Sequence, residues 1–239
     1  MDAPHLLVVS TSTIHGSSYL SYILPSVKTF FEKADEVLFI PYARPSGISH
    51  DTYTSKAKEA FASIGIGLKG IHEFDDPVLA VRNAKGFFTG GGNTFVLLND
   101  LYTNGIIQPL RDRIMEGVPY MGTSAGSNIT GLTVGTTNDM PVVYPPSFDA
   151  LQVLPFNLNP HYLDPDPNSK HMGETRETRI NEFHQFNKQA VLGLREGSWL
   201  QVDGKQIILK GDLPARLFQP QKAPQEFPAE SNLSFLMEA

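Results

Sequence analysis

Short apolar runs separated by longer amphipathic stretches fill the first half of this chain. That alternation constrains its fold more than any other feature. The runs at 6–10, 36–41, 68–72 and 86–89, and the one ending at Met121, read as strands. Helices are expected between them at 17–31, 54–64, 77–83, 94–101 and 107–115, the third opening at Asp76 as its cap. Strands apolar on both faces and joined by helices build an α/β fold with a mostly parallel sheet and helices on both faces. Ligands bind at the C-terminal strand ends of such sheets. Two glycine-rich turns fall at such ends: Gly90-Gly91-Gly92-Asn93 and Gly122-Thr123-Ser124-Ala125-Gly126.

The second half is less regular. Pro141, Pro145, Pro146, Pro155, Pro160, Pro165 and Pro167 make long helices between 136 and 175 improbable, because proline removes a helix hydrogen bond. A helix is expected at 176–186 and strands at 191–194, 199–202 and 206–209, the last two joined by an Asp203-Gly204 hairpin turn. From Gln219 the composition turns to Pro, Gln and Glu. The expectation is therefore a single catalytic domain over 1–218 and a tail over 219–239 that is extended or poorly ordered. No internal repeat or linker stands out.

Composition removes several function classes. With no cysteine there is no disulfide, no thiolate metal site and no cysteine nucleophile, which fits a cytoplasmic protein. Lys and Arg number 19 against 25 Asp and Glu, a net charge of −6, with no basic block, so nucleic acid is not expected as a partner. No run is apolar and long enough for a membrane span, and the start of the chain has no basic region before a long apolar stretch, so neither a membrane anchor nor a signal peptide is expected.

Gly-x-Ser-x-Gly after a strand is the pattern of a nucleophile elbow, in which a tight strand-to-helix turn exposes the serine oxygen. A plain Gly/Ser turn has the same local sequence. A serine nucleophile needs a base, and the base an orienting acid. Of seven histidines, His161 lies in the proline-restricted turn Asn159-Pro160-His161, which holds a side chain in place; His72 is the weaker rival, and His171 and His184 read as exposed. Two acids compete for the third role. Asp139 sits in the polar turn around Thr136-Thr137-Asn138, and Glu196 directly follows the strand at 191–194. Each is also a plausible cap or turn former. The Gly90–Asn93 turn lacks the Lys-Ser/Thr of a phosphate loop. One of its N–H groups, with that of Ala125, suits an oxyanion hole better. His161, Asp164, Asp166 and His171 match no standard metal-ligand spacing. Arg176 and Arg179 read from composition alone as a solvated helix face.

Taken in order, GGGNTF (90–95), GTSAGSN (122–128), TTNDMP (136–141), NPH (159–161), GETRETRI (173–180) and GLREGSW (193–199) resemble the peptidase E, or α-aspartyl dipeptidase, family of serine peptidases. The likeness runs from about residue 6 to 201. It implies a class I glutamine amidotransferase-like (flavodoxin-like) fold and hydrolysis of dipeptides with N-terminal aspartate, without metal or cofactor. The substrate is then a small acidic dipeptide, and a monomer and a homodimer are equally compatible. The resemblance further implies Ser124 as nucleophile, His161 as general base, Gly92 and Ala125 as oxyanion donors, and Arg176 as partner of the substrate's aspartyl carboxylate. Asp139 and Glu196 both fall in matching blocks. The order Ser–His–Glu is that of the amidotransferases, which favours Glu196 and leaves Asp139 to act electrostatically or on the substrate's amino group. An esterase or a cyanophycinase-like peptidase on the same scaffold is the alternative, with a non-catalytic binding protein behind it.

Overall fold

The computed structural model describes residues 3–165 and 173–238. Its first half runs β1 (His5–Val9), α1 (Leu24–Phe30), β2 (Glu36–Ile40), α2 (His50–Ala62), β3 (Gly67–Gly70), α3 (Pro77–Asn83), β4 (Phe87–Thr89), α4 (Thr94–Thr103), α5 (Ile107–Met115), β5 (Tyr120–Thr123) and α6 (Ala125–Asn128). The second half adds β6 (Asn157–Pro160), α7 (Arg176–Phe186), β7 (Val191–Leu194), β8 (Trp199–Asp203), β9 (Gln206–Lys210), β10 (Ala215–Phe218) and β11 (Gln225–Phe227).

The fold is mixed α/β, and its main sheet has the order β3-β2-β4-β5-β1-β8-β9. The five strands of the first half are parallel, while β8 and β9 join antiparallel beyond β1. The expectation of one mostly parallel sheet is corrected further by a second sheet, β11-β10-β7-β6, in which only β6 and β7 are parallel. Period-2 alternation splits the apolar strands between two cores. Leu6, Val8, Leu38, Ile40 and Phe87 face one core, shared with α4, α5 and the second sheet. Leu7, Val9, Val37, Phe39 and Phe88 face the other, beneath α1 and α2.

Local chemistry explains where the helices begin. Ser49, Asp76, Asn93 and Thr175 each cap a helix by accepting a backbone N–H, so α2 starts at His50, earlier than expected. The helix expected over 17–31 shrinks to α1, because Pro25 fits only the first turn of a helix and sets its start. The strand expected over 68–72 stops at Gly70, and His72 lies in a 3-10 turn. The tail after 218 is more built than its composition suggests. Beyond β11, Leu233 and Leu236 are fully buried in the first core. No described helix is long and apolar enough to cross a membrane.

Candidate active site

Ser124 stands between the end of β5 and the first turn of α6, with φ +53° and ψ −109°. A side chain in that left-handed conformation is strained, and such strain persists only where the surroundings over-determine it. Here they do. The Ser124 N–H donates to the Val9 carbonyl at 3.1 Å, and Ser127 Oγ lies 2.7 Å from both the Val9 and Gly122 carbonyls, which share its one proton. The turn is also too tight for a side chain at Gly126, where a Cβ would collide with the Thr89 carbonyl.

The adjacent strands β6 and β7 supply the partners. They are parallel, with Pro160 in register with Leu194, so the residues just past their ends emerge side by side. His161 follows β6, also with positive φ (+54°). Ser10 Oγ accepts from the His161 N–H at 3.0 Å and donates to the Leu194 carbonyl at 2.8 Å, tying the two strand ends to the end of β1. His161 Nε2 then lies 2.9 Å from Ser124 Oγ, and His161 Nδ1 lies 2.7 Å from Glu196 Oε1. The three side chains form one continuous hydrogen-bonded relay.

Asp139 is elsewhere in the same pocket. Its Oδ2 accepts from the Thr94 N–H at 2.8 Å, from Thr94 Oγ1 at 2.7 Å and from Thr137 Oγ1 at 3.0 Å, at the N-terminus of α4. A carboxylate there is favoured by the helix dipole. Asn138, Asn159 and Asn93 knit the loop carrying Asp139 to the end of β6 and the start of α4.

Ser124, His161, Glu196, Asp139, Ala125 and Arg176 all line one cavity of about 510 Å³. Arg176 is half-buried at the first residue of α7 and pairs with no described carboxylate. Burial, reinforced by the neighbouring Arg179, pulls its guanidinium pKa down, with Asp139 opposing. Such a cation is poorly solvated and ready for an anion. Among the described residues, the N–H groups of Gly91, Gly92 and Ala125 have no acceptor. Gly91 packs against the serine, since a Cβ there would stand 2.9 Å from Ser124 Cβ. Gly92 has φ +147°, and a Cβ would collide with the Ala43 carbonyl, so only glycine fits the loop.

His72 is not part of this site: its Nε2 lies 2.9 Å from Asp51, a surface contact. His184 contacts the Gln189 carbonyl. Asp166 and His171 lie outside the described residues, and Asp164 is committed to Arg195. Among the lining residues that the sequence reading gives no role are Thr94, Asn128, Thr137 and Asn138. Asn128 donates to the Leu158 carbonyl and keeps a buried Oδ1 without a partner. The only signal for these residues was their place inside the GGGNTF, GTSAGSN and TTNDMP blocks.

The sequence profile of peptidase family S51 matches residues 6–210. Peptidase E of Streptomyces coelicolor is 47% identical over 234 residues, covering 98% of this chain and 95% of that protein. A Drosophila melanogaster protein named "Probable alpha-aspartyl dipeptidase" is 44% identical over 240 residues, covering 99% of each. Among solved structures, a peptidase from an acI-B1 actinobacterium superposes with a TM-score of 0.74 at 17% identity, covering 98% of this chain and 97% of that one. A Listeria monocytogenes protein described as a putative peptidase E gives a TM-score of 0.66 at 23% identity, covering 87% and 98%.

Proposed function

The chain belongs to peptidase family S51, and on that premise we propose that it hydrolyses dipeptides with N-terminal aspartate through an acyl-enzyme on Ser124. The observation that carries the reading is the relay from Ser124 Oγ through His161 to Glu196, in a cavity whose basic lining group is Arg176. In this reading the β5–α6 turn is a nucleophile elbow on a class I glutamine amidotransferase-like scaffold. Residues 1–218 form the catalytic domain of a cytoplasmic enzyme, and the described part of the tail, 219–238, braces it.

Ser124 attacks the aspartyl carbonyl while His161 Nε2 takes its proton, and the imidazolium is stabilised by Glu196 at Nδ1. The Gly92 and Ala125 N–H groups receive the oxyanion, each worth about 3 kcal/mol on removal. His161 then protonates the leaving amine, water enters, and the same groups reverse their roles. Arg176 holds the substrate's side-chain carboxylate through its planar fork. Asp139 faces the opposite charge, the substrate's α-ammonium group.

Amine release from Asp-Leu, with Asn-Leu, Glu-Leu, Leu-Leu and longer Asp-terminated peptides in parallel, tests this. Asp-Leu alone is expected to turn over rapidly, with Ser124→Ala as the blank. Comparable cleavage of Leu-Leu sinks the aspartyl specificity, and a preference for longer chains moves the enzyme to acidic polymers. The two acids separate by which constant they change. Glu196→Gln keeps the shape but not the charge, and is expected to lower kcat by roughly 10²- to 10³-fold. That is less than in a fully buried triad, because water reaches a Glu196 side chain that is 53% exposed. Asp139→Asn should mainly raise KM. A larger kcat loss in Asp139→Asn than in Glu196→Gln reverses the assignment.

A further inference from the structure

All five N–H groups of the Arg195 guanidinium are used. Nε and Nη2 donate to the two oxygens of Asp164 at 2.8 Å each, Nη1 and Nη2 donate to the two oxygens of Glu226 at 2.9 Å each, and Nη1 also donates to the Pro214 carbonyl at 2.7 Å. The group lies over the Tyr162 ring, 5.4 Å from its centroid, and the side chain is only 13% exposed. A fork with every donor engaged has one orientation. Burial pushes the Glu226 carboxyl up, but Arg195 and Arg216 outweigh it and hold it below the usual carboxylate range.

The placement of these partners is specific. Asp164 lies three residues after His161, and Arg195 immediately precedes Glu196. Glu226 sits on β11, past the end of the matched family span. It also accepts from Arg216 at 3.0 Å, and Arg216 donates at 2.8 Å to Glu177, the neighbour of Arg176. One chain of ion pairs therefore runs from the loop behind His161 to the helix turn bearing Arg176, with Glu226 at its centre. The Asp164 and Glu226 side chains are 51% and 41% exposed, so water screens these pairs, each adds little to stability, and the network's consequence lies in geometry. The turn it pins includes Gly197, with φ +94°.

We propose that Glu226 is a positioning residue for both halves of the site. Through Arg195 it sets Glu196 against His161, and through Arg216 and Glu177 it sets Arg176 for the substrate carboxylate. This rests on the roles given above to Ser124, His161, Glu196 and Arg176.

The test separates the two halves. Phenylmethylsulfonyl fluoride is small and uncharged: Ser124 Oγ attacks its sulfur, fluoride leaves, and His161 takes the proton. Its labelling rate therefore reads the relay without Arg176, whereas KM for Asp-Leu reads Arg176. In Glu226→Gln, labelling rate and kcat are expected to fall roughly 10- to 100-fold, with KM raised severalfold. Among the described residues Asp164 hydrogen-bonds with Arg195 alone, so in Asp164→Asn the labelling rate and kcat should fall while KM stays near wild type. Glu230→Gln removes a different ion pair of the same segment, to Lys210, and should change none of the three. Labelling and kcat within twofold of wild type in a folded Glu226→Gln overturn the proposal whatever Asp164→Asn does, and an unchanged KM in that variant overturns its Arg176 half. Should Glu226→Gln not fold, unchanged labelling in Asp164→Asn overturns it alone. A wild-type protein that labels but leaves Asp-Leu intact overturns the substrate reading, while the labelling series still decides the role of Glu226. A wild type inert to both overturns the serine mechanism and the positioning role with it.

Discussion

Ser124→Ala is expected to lower kcat for Asp-Leu by at least about 10⁴-fold while substrate binding stays within a few-fold of wild type. The chain holds no cysteine to substitute as nucleophile, and His161 Nε2 would face only the alanine methyl and water. In the proposed mechanism the oxyanion site and Arg176 survive, which position a substrate but cannot form the acyl bond. Stability separates the loss of chemistry from loss of fold. Alanine keeps the Cβ and therefore the strain of φ +53°, so its melting temperature should match wild type closely. Ser124→Gly relieves a strain of about 1–3 kcal/mol, offset by about 0.5–1 kcal/mol of added chain entropy. The glycine variant should thus be equally inactive yet melt a few degrees higher than the alanine variant. Retention of more than about a hundredth of the activity in either variant removes Ser124 as the nucleophile. A glycine variant no more stable than the alanine one means that the turn stores no strain.

The parts of this protein legible in its sequence are those fixed by neighbours in the chain. Strands β1, β2, β4 and β5 are buried on both faces, so their apolar runs are uninterrupted, and Asp76 announces its helix by capping it. The Ser124 turn is likewise local, written in its flanking glycines. The second sheet is not. Strand β6 contains Asn159 and Pro160, which read as a turn; the side-chain amide of Asn157 pairs with Thr133 and Asn159 Nδ2 donates to Thr136 and Asn138, all more than twenty residues away, while Asn159 Oδ1 stays buried without a described partner. Strands β10 and β11 carry Arg216 and Glu226, charges that pair with each other across the two strands and with Glu177 and Arg195 from elsewhere in the chain. The choice between Asp139 and Glu196 has the same character. Both are acids in turns, and what differs between them is the register of β6 on β7, which brings Glu196 alone to His161 Nδ1.

Arg176→Ala is expected to lower kcat/KM for Asp-Leu by roughly 10²- to 10³-fold, about 3–4 kcal/mol, and to change Leu-Leu turnover by less than about tenfold. Sequence rules argue against an arginine at this position. The first residue of α7 is at the positive end of the helix dipole, where cations are disfavoured, and Arg179 adds like charge one turn on. A local rule broken without a structural gain marks a residue kept for function. In the free enzyme the guanidinium is partly desolvated and has no described carboxylate partner, so under the proposed function an Asp side chain entering the cavity completes it. A Leu side chain leaves it unpaired, which is why the discrimination exceeds what an apolar pocket achieves. Partial exposure lets water soften that penalty, which sets the estimate below the 10⁴-fold seen where a buried polar group is orphaned. Arg176→Lys should recover little, because a single ammonium cannot match both carboxylate oxygens at once. The decisive quantity is the ratio of kcat/KM for Asp-Leu to that for Leu-Leu in each variant. A ratio unchanged by Arg176→Ala would move carboxylate recognition to another group. A ratio restored by lysine would keep the charge but discard the bidentate geometry.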